Sequence, residues 1–538
     1  MSGTNDRSGA ARIQWPKWAG AGATFAAAIF VSAPALAVLA NLAAPYDETI
    51  RHVLGTRGVS YAAGTFLLCL SVGTAAGIMG VAAGMLTALG NFPLRRFFSV
   101  ALALPLAMPA YIAAYAYADL LGPFGALGPL AHNLAALALP DIRSFPGAVF
   151  VLSMTLYPYA YLASRAAFAS RSSAILETAR TLGAAPMTAA FSLLLPATRP
   201  AIAGGIALIL METAAEFGVA DYFGVPTLSV GIFRTWHSFG DLAAASQLAS
   251  GLFLFALALV AFEAIGRRGR TGDAPRVSSA GVRYSLSSTA GAAASFYCAG
   301  LIFLGFALPA IAIAAKLHPD FWRYASRGLT SAFANSLSIS VAGASLTLAL
   351  ALALAYVGRL TQSAAIKTMI RIATMGYAVP GAVIAIGVLA VFSFVSNLTG
   401  FNIWVAAGPA ALIYAYAVRF LTAGYNTAAG GLAQIDPGYD AAARTLGATS
   451  GKIMRSVHAP LIRPAILAAS IVLVVDIMKE LPATLILRDF NFETLATRVY
   501  RLAGDERLAE AAPDALLLIA LSAAPIILLN AIAGRKPA

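Results

Sequence analysis

The chain alternates long apolar runs with short polar connections, and twelve of the runs have the length of a membrane span. A helix needs about 20 apolar residues to cross the hydrocarbon core of a bilayer. The runs predict spans at residues 18–41, 62–90, 97–119, 147–168, 200–222, 246–265, 291–315, 332–357, 369–396, 404–424, 464–487 and 515–533. The pattern predicts an all-α polytopic membrane protein with about 12 transmembrane helices, six in each half.

Composition excludes an ordinary soluble protein. Charged residues make up 11% of the chain and hydrophobic residues 59%, whereas about 25% of a soluble domain is charged. The basic start (Arg7, Arg12, Lys17) and the segment Ala35-Leu36-Ala37 are typical of a cleaved signal peptide. The apolar run between them is longer than the roughly 7–15 residues of a signal-peptide core. We therefore expect an uncleaved first span.

The net charge of +13 is compatible with nucleic-acid binding, but its distribution favours another explanation. Basic residues cluster in every second connection, as the positive-inside rule requires of cytoplasmic loops. Arg419, near the end of a predicted span, is counted with this cytoplasmic set. The pattern predicts that both termini are cytoplasmic and that the partner surface is a lipid bilayer and not nucleic acid.

One polar segment occurs twice. Residues 177–184 read Glu-Thr-Ala-Arg-Thr-Leu-Gly-Ala, and residues 441–448 read Ala-Ala-Ala-Arg-Thr-Leu-Gly-Ala, 264 positions later. Pro196 and Pro460 follow at the same spacing. Each half has six predicted spans, and an even number of spans returns the chain to the same side of the membrane. The two halves therefore have the same orientation and form a parallel repeat.

This repeat predicts the organisation of the chain. It consists of a cytoplasmic tail (1–17), a first repeat (18–266, loop motif 175–200), a cytoplasmic linker (267–290) and a second repeat (291–538, loop motif 439–464).

The repeated loop predicts a short amphipathic helix. In the first copy Ile175, Ala179 and Leu182 share one side, and Glu177 and Arg180 the other. Gly183 is a natural helix stop. Such a helix suits a groove on a partner protein. A helix that only lies on the membrane surface is the alternative.

Several charged residues fall late in equivalent spans: Glu212, Glu216, Asp221, Asp476, Lys479 and Glu480. A charge inside the membrane costs roughly 2.5–3.5 kcal/mol on insertion scales, so such residues usually face a bundle interior or a water-filled path. Two explanations stay open. The carboxylates contact a hard cation in transit, or Glu480 pairs with Lys479 or with a basic residue of another helix and keeps a gate closed.

Catalytic chemistry has no candidate residues in the sequence. The cysteines and histidines show no metal-ligand spacing, so any metal site is unknown. Gly451-Lys452 is followed by Ile453, where a phosphate-binding loop needs Ser or Thr. We expect no enzyme activity and no cofactor bound by this chain.

At the repeated loop the sequence resembles permease subunits of binding-protein-dependent ABC importers. Glu177, Gly183 and Leu195-Pro196 fit the family's loop pattern, whereas the second copy has Ala441 in place of the acid and Asp440 just before it. The resemblance implies a type I importer fold in a bacterial inner membrane. It also implies ATPase-coupling residues in both loops: Glu177, Ala179, Arg180, Gly183, Pro196, Asp440, Ala441, Arg444, Gly447 and Pro460.

The same resemblance implies partners. Two copies of a cytoplasmic ATPase subunit would hold ATP and Mg, and a periplasmic solute-binding protein would dock on outer loops that include 221–241 and 488–510. The segments that begin at Glu216-Phe217-Gly218 and Lys479-Glu480-Leu481 resemble fused ferric-iron permeases, which implies ferric iron as the solute. Thiamine, phosphonate or polyamine permeases share this layout. A proton-coupled secondary transporter that uses Glu216 and Glu480 is a further alternative.

Overall fold

The computed structural model describes residues 17–533 apart from 123–124, 130–132, 134–140, 268–282, 318–327, 377–378 and 402. The expected cytoplasmic tail and most of the linker therefore lie outside the described residues. In the first half the described helices are α1 (Lys17–Ala40), α2 (Glu48–Val53), α3 (Val59–Leu89), α4 (Arg95–Ala101), α5 (Ala110–Leu121), α6 (Phe145–Thr181), α7 (Pro186–Ala189), α8 (Leu195–Ala215), α9 (Gly218–Tyr222), α10 (Leu228–Arg234) and α11 (Leu242–Arg267).

The second half repeats this order after the linker. Its described helices are α12 (Ser288–Ile302), α13 (Leu308–Ala314), α14 (Leu329–Leu360), α15 (Ala364–Ala373), α16 (Gly381–Thr399), α17 (Ile403–Ala433), α18 (Pro437–Thr445), α19 (Ser450–Ile453), α20 (Ala459–Met478), α21 (Pro482–Leu487), α22 (Leu495–Gly504) and α23 (Leu508–Ala533). Two short strands, β1 (Gly90–Asn91) and β2 (Tyr284–Ser285), pair in parallel and attach the end of the linker to the end of α3.

Several helices continue into short tight or wide turns. The 3-10 segments are Asn41–Ala43 and Leu104–Ala107. The π-helical segments are Leu54–Gly58, Ala190–Leu194, Thr235–Phe239, Phe303–Ala307 and Met454–His458. Four of them, Leu54–Gly58, Ala190–Leu194, Phe303–Ala307 and Met454–His458, each join two parts of one longer helical path. The segment Thr235–Phe239 instead ends at Gly240, which has a positive φ of 66°.

Ten helices in the described part of the chain are long and apolar enough to cross a membrane. An eleventh span results if Arg95–Ala107 and Ala110–Leu121, which meet at 89°, are counted as one broken span. The prediction of an all-α polytopic membrane protein is confirmed. The predicted span 404–424 lies in α17 and does not belong to these ten, since a kink at Gly408–Pro409 and the charge of Arg419 interrupt its apolar run.

Four of the predicted spans are wrong in one respect, because the helix inside them is broken. The predicted spans 97–119 and 369–396 divide before α5 and α16. Pro109 and Pro380 immediately precede these helices, and both have an extended backbone. The predicted spans 200–222 and 464–487 divide after α8 and α20, next to Glu216 and Glu480. An apolar run does not reveal such a break, because the residues on both sides of the break are apolar.

The first span of each half packs against the opposite half. In α1, the Phe30 carbonyl accepts a hydrogen bond of 2.6 Å from the Tyr414 hydroxyl of α17. Reciprocally, the Leu304 carbonyl accepts one of 2.5 Å from the Tyr117 hydroxyl of α5. The buried core is shared in the same way, because Val38 of α1 lies in one apolar cluster with Val383 of α16, and Cys298 of α12 lies in another with Tyr157 of α6. The two halves defined by sequence are interlocked.

Gly387 and Gly305 are the points of closest backbone approach in this interlock. A Cβ at Gly387 would overlap the Pro34 carbonyl, and one at Gly305 would overlap the Met154 carbonyl. Gly387→Ala and Gly305→Ala should therefore destabilise the folded protein by about 1–3 kcal/mol, the usual effect of overpacking. Thermal unfolding of the detergent-solubilised protein measures this. Gly300→Ala is the matched control, because a Cβ there meets open space; an equal loss in all three variants would contradict the interlock.

Candidate translocation cavity and cytoplasmic loops

The breaks in the fifth span of each half are capped by a carboxylate. Glu216 follows α8, and its Oε1 accepts a hydrogen bond of 3.0 Å from the Val219 amide of α9. Glu480 follows α20, and its two carboxylate oxygens accept bonds of 3.0 Å from the Ala483 and Thr484 amides of α21. Both side chains thus satisfy amides that the broken helix leaves without an intrahelical partner.

These two carboxylates face a common cavity of about 170 Å³ between the halves. The charged residues that line it are Glu212, Glu216, Asp476, Glu480, Arg419 and Lys479. Five of the six residues predicted for a pathway or gate therefore lie together. Among the described residues, no group of three or more His, Cys, Asp or Glu side chains is arranged to hold a metal ion. The carboxylates line one cavity and do not converge on one point.

Asp221 is the predicted pathway residue that does not line the cavity. Its carboxylate is bound by Arg234 at 2.9 Å and by the Tyr500 hydroxyl at 2.7 Å. Tyr500 belongs to α22 of the second half, so this carboxylate joins the two halves beside the cavity. The sequence placed Asp221 in the span with Glu216, but the chain turns after the break and carries it to other partners.

Arg419 is the cavity residue that the sequence analysis assigned wrongly. It was counted with the cytoplasmic loops, yet its Nη1 lies 3.4 Å from Glu480 Oε1. Lys479 pairs instead with Asp476, at 2.9 Å. The partners considered for Glu480 were Lys479 and a basic residue of another helix. The structure shows the second of these, Arg419. Arg419 lies inside the predicted span 404–424, so the criterion that selected Glu216 would have selected it too.

The two halves contribute unequally to this cavity. The residues of the first half that correspond by spacing to Arg419 and Lys479 are Leu162 and Ala215. Both cations therefore come from the second half, and in the first half the position of Lys479 is apolar while its neighbour Glu216 is kept. Tyr111 of α5 also lines the cavity, and its buried hydroxyl has no hydrogen-bond partner within the described part of the chain.

The first repeated loop differs from the expected short helix. Its helical segment is the end of α6, which continues without interruption from the membrane to Thr181. Leu176 and Ala179 are buried against the rest of the protein, and Glu177 is exposed. Leu182 was expected on the side of Ala179 but is 81% exposed, because the helix ends at Thr181 and the chain turns. The side chain of Arg180 lies outside the described residues.

The second loop forms a separate helix, α18, which begins after a break in the chain. Gly183 and Gly447 both adopt a positive φ, 78° and 76°, so the predicted helix stops are confirmed in both copies. Leu446, the equivalent of Leu182, is 86% exposed. Each copy therefore presents one large apolar side chain to solvent immediately before its glycine.

The remaining predicted loop residues differ in exposure. Ala441 and Pro460 are exposed, Arg444 is half-buried, and Pro196 is in the first turn of α8.

Asp440 does not face outwards. Its carboxylate is buried and accepts hydrogen bonds of 3.1 and 2.9 Å from the Arg359 guanidinium, and it is also bonded to His458. Asp440, which the family resemblance implies as an ATPase-coupling residue, therefore makes its contacts inside the protein and does not replace the exposed acid of the first copy. An acid one residue earlier in a helix points about 100° away, in this case into the protein.

The loops expected to meet a binding protein, within 221–241 and 488–510, each carry an exposed phenylalanine. Phe239 and Phe490 are exposed there, the latter by 95%. Arg501 donates two hydrogen bonds to Glu493, and these bonds lower the pKa of the Glu493 carboxyl. The segment 488–510 is thus held by an ion pair that is present at neutral pH, and the exposed side chain of Phe490 lies in the same segment.

Comparisons with known proteins agree with this architecture. Residues 345–534 match the family model described as "binding-protein-dependent transport system inner membrane component". The chain is 26% identical to the Fe(3+)-transport system permease protein FbpB 2 of Haemophilus influenzae over 86% of this chain and 88% of that protein. It is 31% identical to the molybdenum transport system permease protein ModB of Azotobacter vinelandii, over 28% of this chain and 69% of ModB.

A third relative is the putative 2-aminoethylphosphonate transport system permease protein PhnU of Salmonella choleraesuis, 25% identical over 41% of this chain and 82% of that protein. The chain belongs to the family of binding-protein-dependent transport system inner membrane components. It is a multi-pass inner-membrane protein with two fused repeats, the permease of an ABC importer and not an enzyme.

The pair Arg419–Glu480 predicts different effects for two equivalent substitutions. Glu480→Gln removes a charge-assisted hydrogen bond of about 1.5–3 kcal/mol, so the open population of a gate held by this pair should rise about tenfold or more. Basal ATP hydrolysis by the assembled transporter should increase and lose its dependence on solute.

Glu216→Gln is the matched control, since it changes the same position of the other half, where no arginine corresponds to Arg419. It should slow solute uptake and leave basal hydrolysis near the wild-type rate. Equal basal rates in the wild type and both variants would contradict a gate at Glu480.

Proposed function

We propose that this permease imports ferric iron that a periplasmic binding protein delivers, and that two copies of an ATPase subunit drive the import. The observation that carries the proposal is the charge of the cavity. Four carboxylates line it against two cations, so its formal charge is negative when all are ionised. A cation passing between the halves would be attracted, and an oxyanion would be repelled.

The ligand chemistry favours a hard cation. Carboxylate oxygens suit hard ions, and the Tyr111 hydroxyl adds an oxygen with no partner among the described residues. Molybdenum and aminoethylphosphonate appear in the names of two relatives, but oxyanions would meet the negative cavity unfavourably. Thiamine and polyamines are cations and share the electrostatic argument. Iron is preferred over them because the ferric relative matches most of both chains.

The coupling role of the loops is supported by their surface. Leu182 and Leu446 are large apolar side chains exposed at equivalent positions of the two loops, and a loop helix that presents such a side chain suits a groove on a partner protein. Each precedes a glycine with positive φ, so the turn that presents it has the same shape in both copies. Two equivalent surfaces fit two copies of one ATPase subunit, and both termini are then expected on the same cytoplasmic side.

Uptake into membrane vesicles tests the proposal. Vesicles that contain the permease and its ATPase should accumulate radioactive ferric iron only with ATP and the loaded binding protein. Molybdate, aminoethylphosphonate, thiamine and spermidine serve as competing solutes. Iron uptake that needs a proton gradient and no ATP would favour the secondary transporter, and uptake of another solute in place of iron would contradict ferric specificity.

Gly183→Asp and Gly447→Asp should abolish uptake while the permease still folds. A Cβ at either glycine meets open space, so the change does not overpack the protein. It does strain a left-handed residue by about 1–2 kcal/mol and places a charge next to the exposed leucine. Uptake and membrane content are measured in parallel.

Gly451→Asp is the matched control for these variants, because it is four residues beyond Gly447, exposed and helical with open space around it. It should retain uptake. Wild-type transport by Gly183→Asp and Gly447→Asp, or an equal loss in Gly451→Asp, would show that the loops do not couple ATP hydrolysis to transport.

A further inference from the structure

The two coupling helices are attached to the membrane part in different ways. In the first copy the helix is the end of α6, a single helix of 37 residues. In the second copy α17 ends at Ala433, and α18 begins at Pro437 after residues 434–436. Proline disfavours a helical conformation at the residue before it. Asp436 at that position has an extended backbone, and its side chain caps α18 by accepting a hydrogen bond from the Gly438 amide. Helix continuity therefore cannot position the second coupling helix.

One guanidinium spans this break. Arg359, in the last turn of α14, donates hydrogen bonds to the carbonyls of Leu432 and Ile435 and to the carboxylate of Asp440. The bond to Ile435 measures 3.1 Å, and the ion pair with Asp440 measures 2.9 Å. The end of α17, the connection and α18 thus share one half-buried donor, the Arg359 guanidinium, whose planar fork can serve several acceptors at once.

His458 completes the cluster from the other side. It is fully buried, its Nε2 is bonded to Asp440, and its Nδ1 has no partner in the described part of the chain. A neutral ring that donates from Nε2 leaves only an acceptor unsatisfied, which is less costly than an unpaired buried N–H of a cation. Tyr356 packs its ring edge against His458 at 5.7 Å and donates from its hydroxyl to the Ser450 carbonyl at 2.6 Å.

The first copy has apolar residues at the same places. Asp440 and His458 correspond at the spacing of 264 to Leu176 and Leu194, and Arg359 corresponds at the spacing of 271 to Ala88. Leu176 and Leu194 are buried in one small apolar cluster, and Ala88 packs against it. Where the helix is continuous, ordinary apolar packing fills the site. Where the helix is broken, a charged network occupies it.

We infer that Arg359 and His458 are positioning residues for coupling: through Asp440 they hold the second coupling helix in place of the helix continuity that positions the first. This inference rests on the proposed role of the two loops. Movement of an ATPase bound at Leu446 then passes into α14 through the Arg359–Asp440 pair, whereas movement at Leu182 passes directly along α6. Asp440 acts inside the permease and does not contact the ATPase.

The first test breaks the cluster. Asp440→Leu leaves Arg359 and His458 buried without their partner and should lower uptake about tenfold or more. His458→Gln retains an amide donor near the position of Nε2 and should keep most of the uptake, whereas His458→Leu should not. Wild-type uptake by Asp440→Leu, or equal uptake by the Gln and Leu variants, would overturn the inference.

The second test separates positioning from stability. The triple variant Arg359→Ala, Asp440→Leu, His458→Leu installs the residues of the first copy and removes every unpaired charge. Its Tm should lie closer to the wild type than that of Asp440→Leu, while uptake per ATP hydrolysed stays low, because α18 remains detached from α17. Full recovery of that ratio would show that the cluster only fills space and would overturn the inference.

Asp514→Asn is the matched control, because it breaks another buried ion pair, Arg498–Asp514, that joins α22 to α23. It should lower Tm without changing uptake per ATP. A change in that ratio equal to the change in Asp440→Leu would overturn the inference. Gly447→Asp separates the proposed role of the loops from the proposed role of the cluster. Normal transport by Gly447→Asp would contradict the coupling role of the loops. Loss of transport in Gly447→Asp but not in Asp440→Leu would show that the loops couple without the cluster.

Discussion

A carboxylate caps a broken helix in the fifth span of each half, and the centre of the molecule is arranged around these two caps. A bilayer offers no water to backbone amides, so irregular backbone survives at that depth only inside protein or beside a cavity. Glu216 and Glu480 satisfy amides of the following helix turns, at 3.0 Å in each case. The same carboxylates that cap the broken helices also line the cavity between the halves.

The interlock of the halves holds α5 and α17, which carry the cavity residues Tyr111 and Arg419. The first span of each half is hydrogen-bonded to the opposite half, through Tyr414 and Phe30 on one side and Tyr117 and Leu304 on the other. Each half therefore contributes to the core of the other.

Geometry is repeated more closely than chemistry in this chain. The glycine turns, the exposed leucines and the capping carboxylates occur in both copies with nearly the same backbone. The cations Arg419 and Lys479, and the cluster around Asp440, occur only in the second half. The second half thus carries the ion pair at the cavity and the ion pair at the coupling helix. At the positions that correspond to the cluster around Asp440, the first half has apolar packing and a continuous helix.

The sequence by itself determined the membrane class, the repeat and the position of both glycine turns. These properties are local: apolar runs are read from consecutive residues, and Gly183 and Gly447 have the φ that a helix stop requires. It also brought five of the six charged residues of the predicted pathway into one set that the structure keeps together.

Only the tertiary structure decided the partners. The sequence assigns Arg419 to the cytoplasmic loops, whereas in the structure it lies in the cavity and pairs with Glu480. Asp440 belongs to a loop motif in the sequence, whereas in the structure its carboxylate is buried and pairs with Arg359. Arg359 and Asp440 are 81 residues apart, so no local pattern relates them. Hydrophobic periodicity and turn chemistry act within a few residues of the chain, whereas the choice of an ionic partner depends on which helices meet after folding.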